Sequence, residues 1–125
     1  MKPHFHGLRT TIYKVTDIAK AKAWYSNAFG VDPYFDEPFY VGFNVGGYEL
    51  GLHPDETPAS AKTAGAVTYW SVDDAIKSYQ RLLELGATEF EKPADVGGDI
   101  VVAAVKDPWG NVVEVIYNPT FALPK

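Results

Sequence analysis

Apolar and polar positions alternate along this chain with two different periods, and the switches between them mark the elements. Ile18, Ala21, Tyr25 and Ala28 recur at the three- and four-residue spacing of one helix face, which predicts a helix from about Asp17 to Phe29. Thr16 or Asp17 is placed to accept its first free N–H groups, and Gly30 to close it in the left-handed conformation. Ile76, Tyr79, Leu82 and Leu83 predict a second helix from Asp74 to Leu85, with Asp73 or Asp74 as cap and Gly86 as stop. Around these helices the period falls to two. Strand-like runs are expected at Thr11–Val15, Pro33–Asp36, Phe39–Asn44 and Tyr48–His53, and again at Thr68–Val72, Thr88–Lys92, Ile100–Lys106 and Asn111–Tyr117.

The two halves share one grammar. Thr11-Ile12-Tyr13-Lys14-Val15-Thr16-Asp17 lies over Thr68-Tyr69-Trp70-Ser71-Val72-Asp73-Asp74, and Asn44-Val45-Gly46-Gly47 over Asp107-Pro108-Trp109-Gly110. In both, a strand ending in Val meets a capping acid and an amphipathic helix, and three further strands follow, the last two joined by a tight reversal. The fold class is therefore α+β: a single domain over residues 1–125 built from tandem βαβββ modules, at 8–53 and 65–118, with a Pro-, Ala-, Ser- and Thr-rich linker at 54–64.

Composition narrows the chemistry. The 125 residues contain no Cys, which excludes disulfides, a thiolate nucleophile and sulfur-ligated metal. Sixteen acidic against eleven basic residues give a net charge of −5, and with no basic stripe a nucleic-acid partner is not expected. No segment reaches the roughly 18 consecutive apolar residues of a membrane span, and the first residues lack the apolar core of a signal peptide, so a cytoplasmic protein without a membrane partner is expected.

The closing run Asp107-Pro108-Trp109-Gly110-Asn111-Val112-Val113-Glu114, set at the end of paired βαβββ modules, resembles the vicinal oxygen chelate superfamily over about Leu8 to Pro119. That superfamily holds glyoxalase I, bleomycin and fosfomycin resistance proteins, extradiol dioxygenases and methylmalonyl-CoA epimerase. The resemblance implies a curled, cup-shaped mixed sheet with helices outside, and a homodimer whose cups form within one chain or between exchanged modules. It also implies a divalent metal on four strand residues. Those positions are Thr10 and Val67 on the first strand of each module, and Gly51 and Glu114 on the last. Only Glu114 is a customary ligand, so no metal site and no cofactor are expected, and the similarity points to the metal-free, bleomycin-resistance-like members.

Strand parity sorts the remaining candidates. Counting from Val15 and Val72 puts Thr10, Ile12, Val67 and Tyr69 toward the cup, and Tyr13 and Trp70 under the helices. Similar counting puts Phe39, Val41, Phe43, Val102 and Ala104 near the concave side, and Trp109 joins Phe39, Phe43 and Tyr69 as candidate lining of the cup. Glu114, a carboxylate between Val112 and Ile116, is the candidate catalytic or ligand-polarising group. His53 shares the parity of Gly51 at the strand's end, whereas His4 and His6 fall near the terminus. The aromatic strands suit a planar or hydrophobic small molecule held by stacking. Two other readings stay open: a metal-dependent lyase, isomerase or dioxygenase using Glu114 with unconventional donors, and a cup filled by its own side chains that serves as a dimerising module.

Overall fold

The computed structural model describes Leu8, residues 10–58 and residues 68–119. Val67, His4 and His6 lie outside the described residues. The chain divides into two compact units, Met1–Glu56 and Thr57–Lys125, each carrying one helix and one four-stranded mixed sheet.

In the first unit, β1 (Thr10–Val15) leads into α1 (Ile18–Phe29), and β2 (Phe35–Glu37), β3 (Tyr40–Val45) and β4 (Tyr48–Pro54) follow. The Asp17 side chain accepts from the Lys20 N–H at 3.0 Å, and Gly30 closes the helix at φ 68° with its N–H on the Ser26 carbonyl. The sheet order is β1-β4-β3-β2, with β1 parallel to β4 and the other pairs antiparallel. Gly46 and Gly47 both have positive φ and join β3 to β4 in a two-residue hairpin.

The second unit repeats this order: β5 (Tyr69–Ser71), α2 (Ala75–Glu84), β6 (Thr88–Asp95), β7 (Val101–Lys106) and β8 (Val112–Tyr117), in a sheet ordered β5-β8-β7-β6. Asp74 caps α2 through the Lys77 N–H at 3.0 Å. The β7–β8 reversal is tied by Asp107, whose Oδ1 accepts from the Trp109 and Asn111 N–H groups at 2.9 and 2.7 Å while its Oδ2 accepts from Asn111 Nδ2 at 3.0 Å. Among the described residues no helix is long and apolar enough to cross a membrane.

Each sheet buries one face under its own helix. In the first unit that face carries Tyr13, Val15, Val41, Phe43, Leu50 and Leu52, and Tyr13 stacks on Tyr25 of α1 with centroids 5.7 Å apart. In the second, Val105, Val113 and Val115 lie under Tyr79 and Leu82 of α2. One expected helix face needs correction. Ile76 is 49% exposed, and Ala75 takes the inward position beside Tyr79 and Leu82, because Ala75, Tyr79 and Leu82 recur at four and three residues and already complete the stripe.

Candidate functional site

The face of each sheet opposite its helix carries the polar chemistry, and strand register determines which residues share it. In the second unit Tyr69 of β5 pairs with Glu114 of β8, Glu114 with Ala104 of β7, and Ala104 with Glu91 of β6. Four residues from four strands thus form one row across the sheet, with Val102 and Ile116 in the next. Tyr69, Glu114, Val102 and Ala104 lie on the face that parity assigns them. Glu91 was not anticipated, because register shifts on both sides of it in β6 break the simple alternation.

Glu114 is buried, with 6% of its surface exposed. Burial first, and then the charge of Glu91, push its carboxyl above the ordinary range, while a hydrogen bond from the Tyr69 phenol acts in the opposite direction. Burial and the two carboxylates raise the Tyr69 phenol in turn. The row is thus a phenol donor on a carboxyl less acidic than an ordinary one, a group able to form hydrogen bonds with a neutral or cationic ligand.

In the first unit the corresponding rows run Ile12, Gly51, Gly42 and Phe35, and Thr10, Glu49 and Asn44. Glu49 is the centre. Its Oε1 accepts from Thr10 Oγ1 at 2.8 Å and its Oε2 accepts from the Tyr34 phenol, and the Tyr40 phenol also favours its charge. The Tyr34 bond above all, against the effect of burial, holds the Glu49 carboxyl below the usual range. Tyr40 moves the other way, pushed up to about 12 by burial and then by its bond to Glu49.

Two glycines make this arrangement possible. A Cβ on Gly51 would fall onto the Tyr40 phenol, with Cε1 of that ring at 2.9 Å, and one on Gly42 would meet Glu49 Oε2 at 2.8 Å and the Tyr34 ring at 3.1 Å. The Tyr40 ring therefore occupies the space that a side chain at position 51 would fill. Tyr34, Tyr40 and Glu49 were not among the expected site residues, although Glu49 and Tyr40 share the parity of Gly51 and Gly42, which is the signal that points to them.

Val41 and Phe43 are corrected. They pair with Leu52 and Leu50 and are each 1% exposed on the helix-covered face, so they are core residues and not part of this surface. Register against β4 fixes their side, and Tyr40, Gly42 and Asn44 take the opposite one. Phe39 lies in the β2–β3 turn, 63% exposed, edge-on to Phe35 at 6.1 Å. His53, exposed at the end of β4, touches the Tyr40 ring edge-on at 6.0 Å. Trp109 is buried in the β7–β8 reversal, and Ile12 is 49% exposed.

The metal positions implied by the resemblance do not fit an ion. Thr10 gives its hydroxyl proton to Glu49, Gly51 has no side chain, Val67 has no donor, and Glu114 supplies one carboxyl engaged by Tyr69. A transition-metal site of N and O donors needs about three protein ligands. Among the described residues no group of three His, Cys, Asp or Glu side chains is gathered to hold a metal ion.

Comparison with known proteins places this geometry. The family model described as Glyoxalase/Bleomycin resistance protein/Dioxygenase superfamily matches residues 7–115. The uncharacterized protein YurT of Bacillus subtilis (strain 168) is 31% identical over 77 residues, which span 56% of this chain and 60% of that protein. A glyoxalase-related enzyme from Fulvimarina pelagi superposes with a TM-score of 0.78 at 15% identity, over 96% of this chain and 94% of its own. A bleomycin resistance determinant encoded on transposon Tn5 gives 0.70 at 18% identity, over 91% and 99% of the two chains. TioX from Micromonospora sp. ML1 gives 0.64 at 19%, over 90% and 98%. At these identities the solved structures show a shared fold.

Proposed function

Since the chain belongs to the glyoxalase/bleomycin resistance protein/dioxygenase superfamily, we propose that it is a metal-independent small-molecule-binding protein that sequesters a hydrophobic or aromatic ligand on the sheet faces opposite the helices. The observation that carries this reading is the exchange at position 51, where the superfamily's ligand side chain gives way to glycine and the Tyr40 ring stands in its space. An aromatic surface replaces a coordinating one. Exposed Ile12, Tyr34, Phe35 and Phe39 in the first unit, and Tyr69 in the second, offer apolar and stacking contacts, and Glu49 and Glu114 orient polar groups each in its own unit. Glu114 acts here as the polarising group of the second unit, holding or releasing a proton under the hydrogen bond from Tyr69. A homodimer in the cytoplasm is part of the same proposal.

The test is a thermal-shift screen of planar aromatic compounds against chelator-treated protein, followed by titration calorimetry of the hits. The expected result is a ligand of roughly micromolar affinity whose binding is unchanged by EDTA and weakened by Tyr69→Ala. Absence of any such ligand, or binding that appears only after a divalent metal is restored, overturns the proposal.

A further inference from the structure

The aromatic surface of the first unit has a chemistry more selective than hydrophobicity. Phe35, Phe39 and Tyr40 are in ring contact at 6.1 and 6.0 Å, and the Tyr34 ring lies beside them over Gly42. Tyr34 and Phe39 are each 63% exposed and Phe35 is 39% exposed. The paired glycines Gly42 and Gly51 let the two phenol rings lie over the sheet around Glu49. The chain around them is strongly one-sided: no Lys or Arg occurs between Lys22 and Lys62, whereas Asp32, Asp36, Glu37, Glu49, Asp55 and Glu56 do. Among the described residues Lys14 lies on this face of β1, opposite His53, and Lys22 pairs with Asp36 at 2.9 Å.

Aromatic rings around a fixed negative charge attract cations through the ring quadrupole. The state of Glu49 decides which kind. Each of its two oxygens already accepts a hydroxyl proton, Oε1 from Thr10 and Oε2 from Tyr34, and the Tyr40 phenol also acts on the same carboxylate. It keeps its charge, and both of its oxygens are already engaged. A primary ammonium, which gives up three hydrogen bonds to water, would recover few of them here. A quaternary ammonium has no such bonds to lose, a highly methylated one has at most one, and both present a diffuse charge with apolar methyl groups to the rings. We infer that the first unit recognises the quaternary or highly methylated ammonium group of an organic cation, on the surface formed by Tyr34, Phe35, Phe39, Tyr40 and Glu49. The inference rests on the small-molecule-binding reading and names the ligand class for it.

Calorimetric titration of the full chain with benzyltrimethylammonium, benzylammonium and the uncharged α-tert-butylbenzyl alcohol tests it. The quaternary ion is expected to bind about tenfold more tightly than either of the others, the upper range of cation–aromatic attraction at a partly exposed site. Tyr40→Leu is expected to remove about tenfold of that affinity, with its melting curve confirming the fold. Tyr34→Phe keeps the ring and frees one oxygen of Glu49, so it should narrow the preference for quaternary over primary ammonium, a change that loss of packing alone would not produce. Equal binding of the uncharged alcohol, equal or tighter binding of benzylammonium, or an unchanged preference in Tyr34→Phe overturns the inference and leaves small-molecule binding standing. No binding by any of the three also overturns it, and the aromatic screen then shows separately whether the broader reading survives.

Discussion

Glu114 and Glu49 are both strand carboxyls that accept a hydrogen bond from a phenol, yet their acidities move apart. One bond from Tyr69 does not offset burial and the charge of Glu91 at Glu114, whereas at Glu49 the Tyr34 bond above all, with smaller effects of Thr10 and Tyr40, outweighs burial. The consequences for stability have opposite signs. Glu114, with its pKa raised above 4.5, contributes stability fully below that value and loses it as the pH rises through the raised pKa. Glu49, with its pKa lowered, contributes stability above 4.5 and loses it as the pH falls through the lowered pKa. Glu114→Gln is therefore expected to stabilise the chain near neutral pH, with the gain vanishing in acid. Urea melts at both pH values check this, and a loss of stability at neutral pH would show that the charged form is favourable. Gly51→Ala is expected to cost about 1–3 kcal/mol by overpacking against the Tyr40 ring, and the double variant Gly51→Ala/Tyr40→Ala should recover part of that loss. Additive losses in the cycle would mean that the two positions are not in competition.

The elements follow rules that are readable in the chain. Asp17, Gly30 and Asp74 bound the helices where capping chemistry places them, and Tyr13 faces α1 as its parity predicts. Parity failed where a strand was counted by itself. Val41 and Phe43 belong to the core because β4 pairs them with Leu52 and Leu50, and that register depends on a hairpin turn that lies outside the strand. Glu91 was hidden for a related reason, since its strand shifts register on either side of it. Tyr34 is fixed by its own N–H bond to the Gly42 carbonyl at 2.9 Å, a contact that only the folded β2–β3 hairpin creates. The β3–β4 and β7–β8 reversals differ in what holds them. Asp107, 3% exposed, accepts three hydrogen bonds, whereas Asn44 accepts one from the Gly47 N–H in an exposed turn. Asp107→Ala is expected to cost about 2–4 kcal/mol and Asn44→Ala about 0.5–1 kcal/mol. Denaturant midpoints of the two variants measure the difference, and equal losses would contradict the assignment of the β7–β8 turn to Asp107.

At the scale of the molecule, the tandem βαβββ plan and the superfamily were legible from the repeat and from the run Asp107–Glu114. The ligand chemistry was less so, because it depends on which side chains fill the space over two glycines. The proposed homodimer predicts a sedimentation mass twice that of the 13.7 kDa chain, and a monomer at micromolar concentration would remove that part of the proposal. The central claim is that binding on these sheet faces needs no metal. Its most direct test is elemental mass spectrometry of the folded protein after incubation with nickel, zinc, manganese, ferrous iron and calcium, followed by desalting. Retention of no metal is the predicted result. One equivalent retained per chain and lost in Glu114→Ala would contradict it, and would return Glu114 to the role of a ligand.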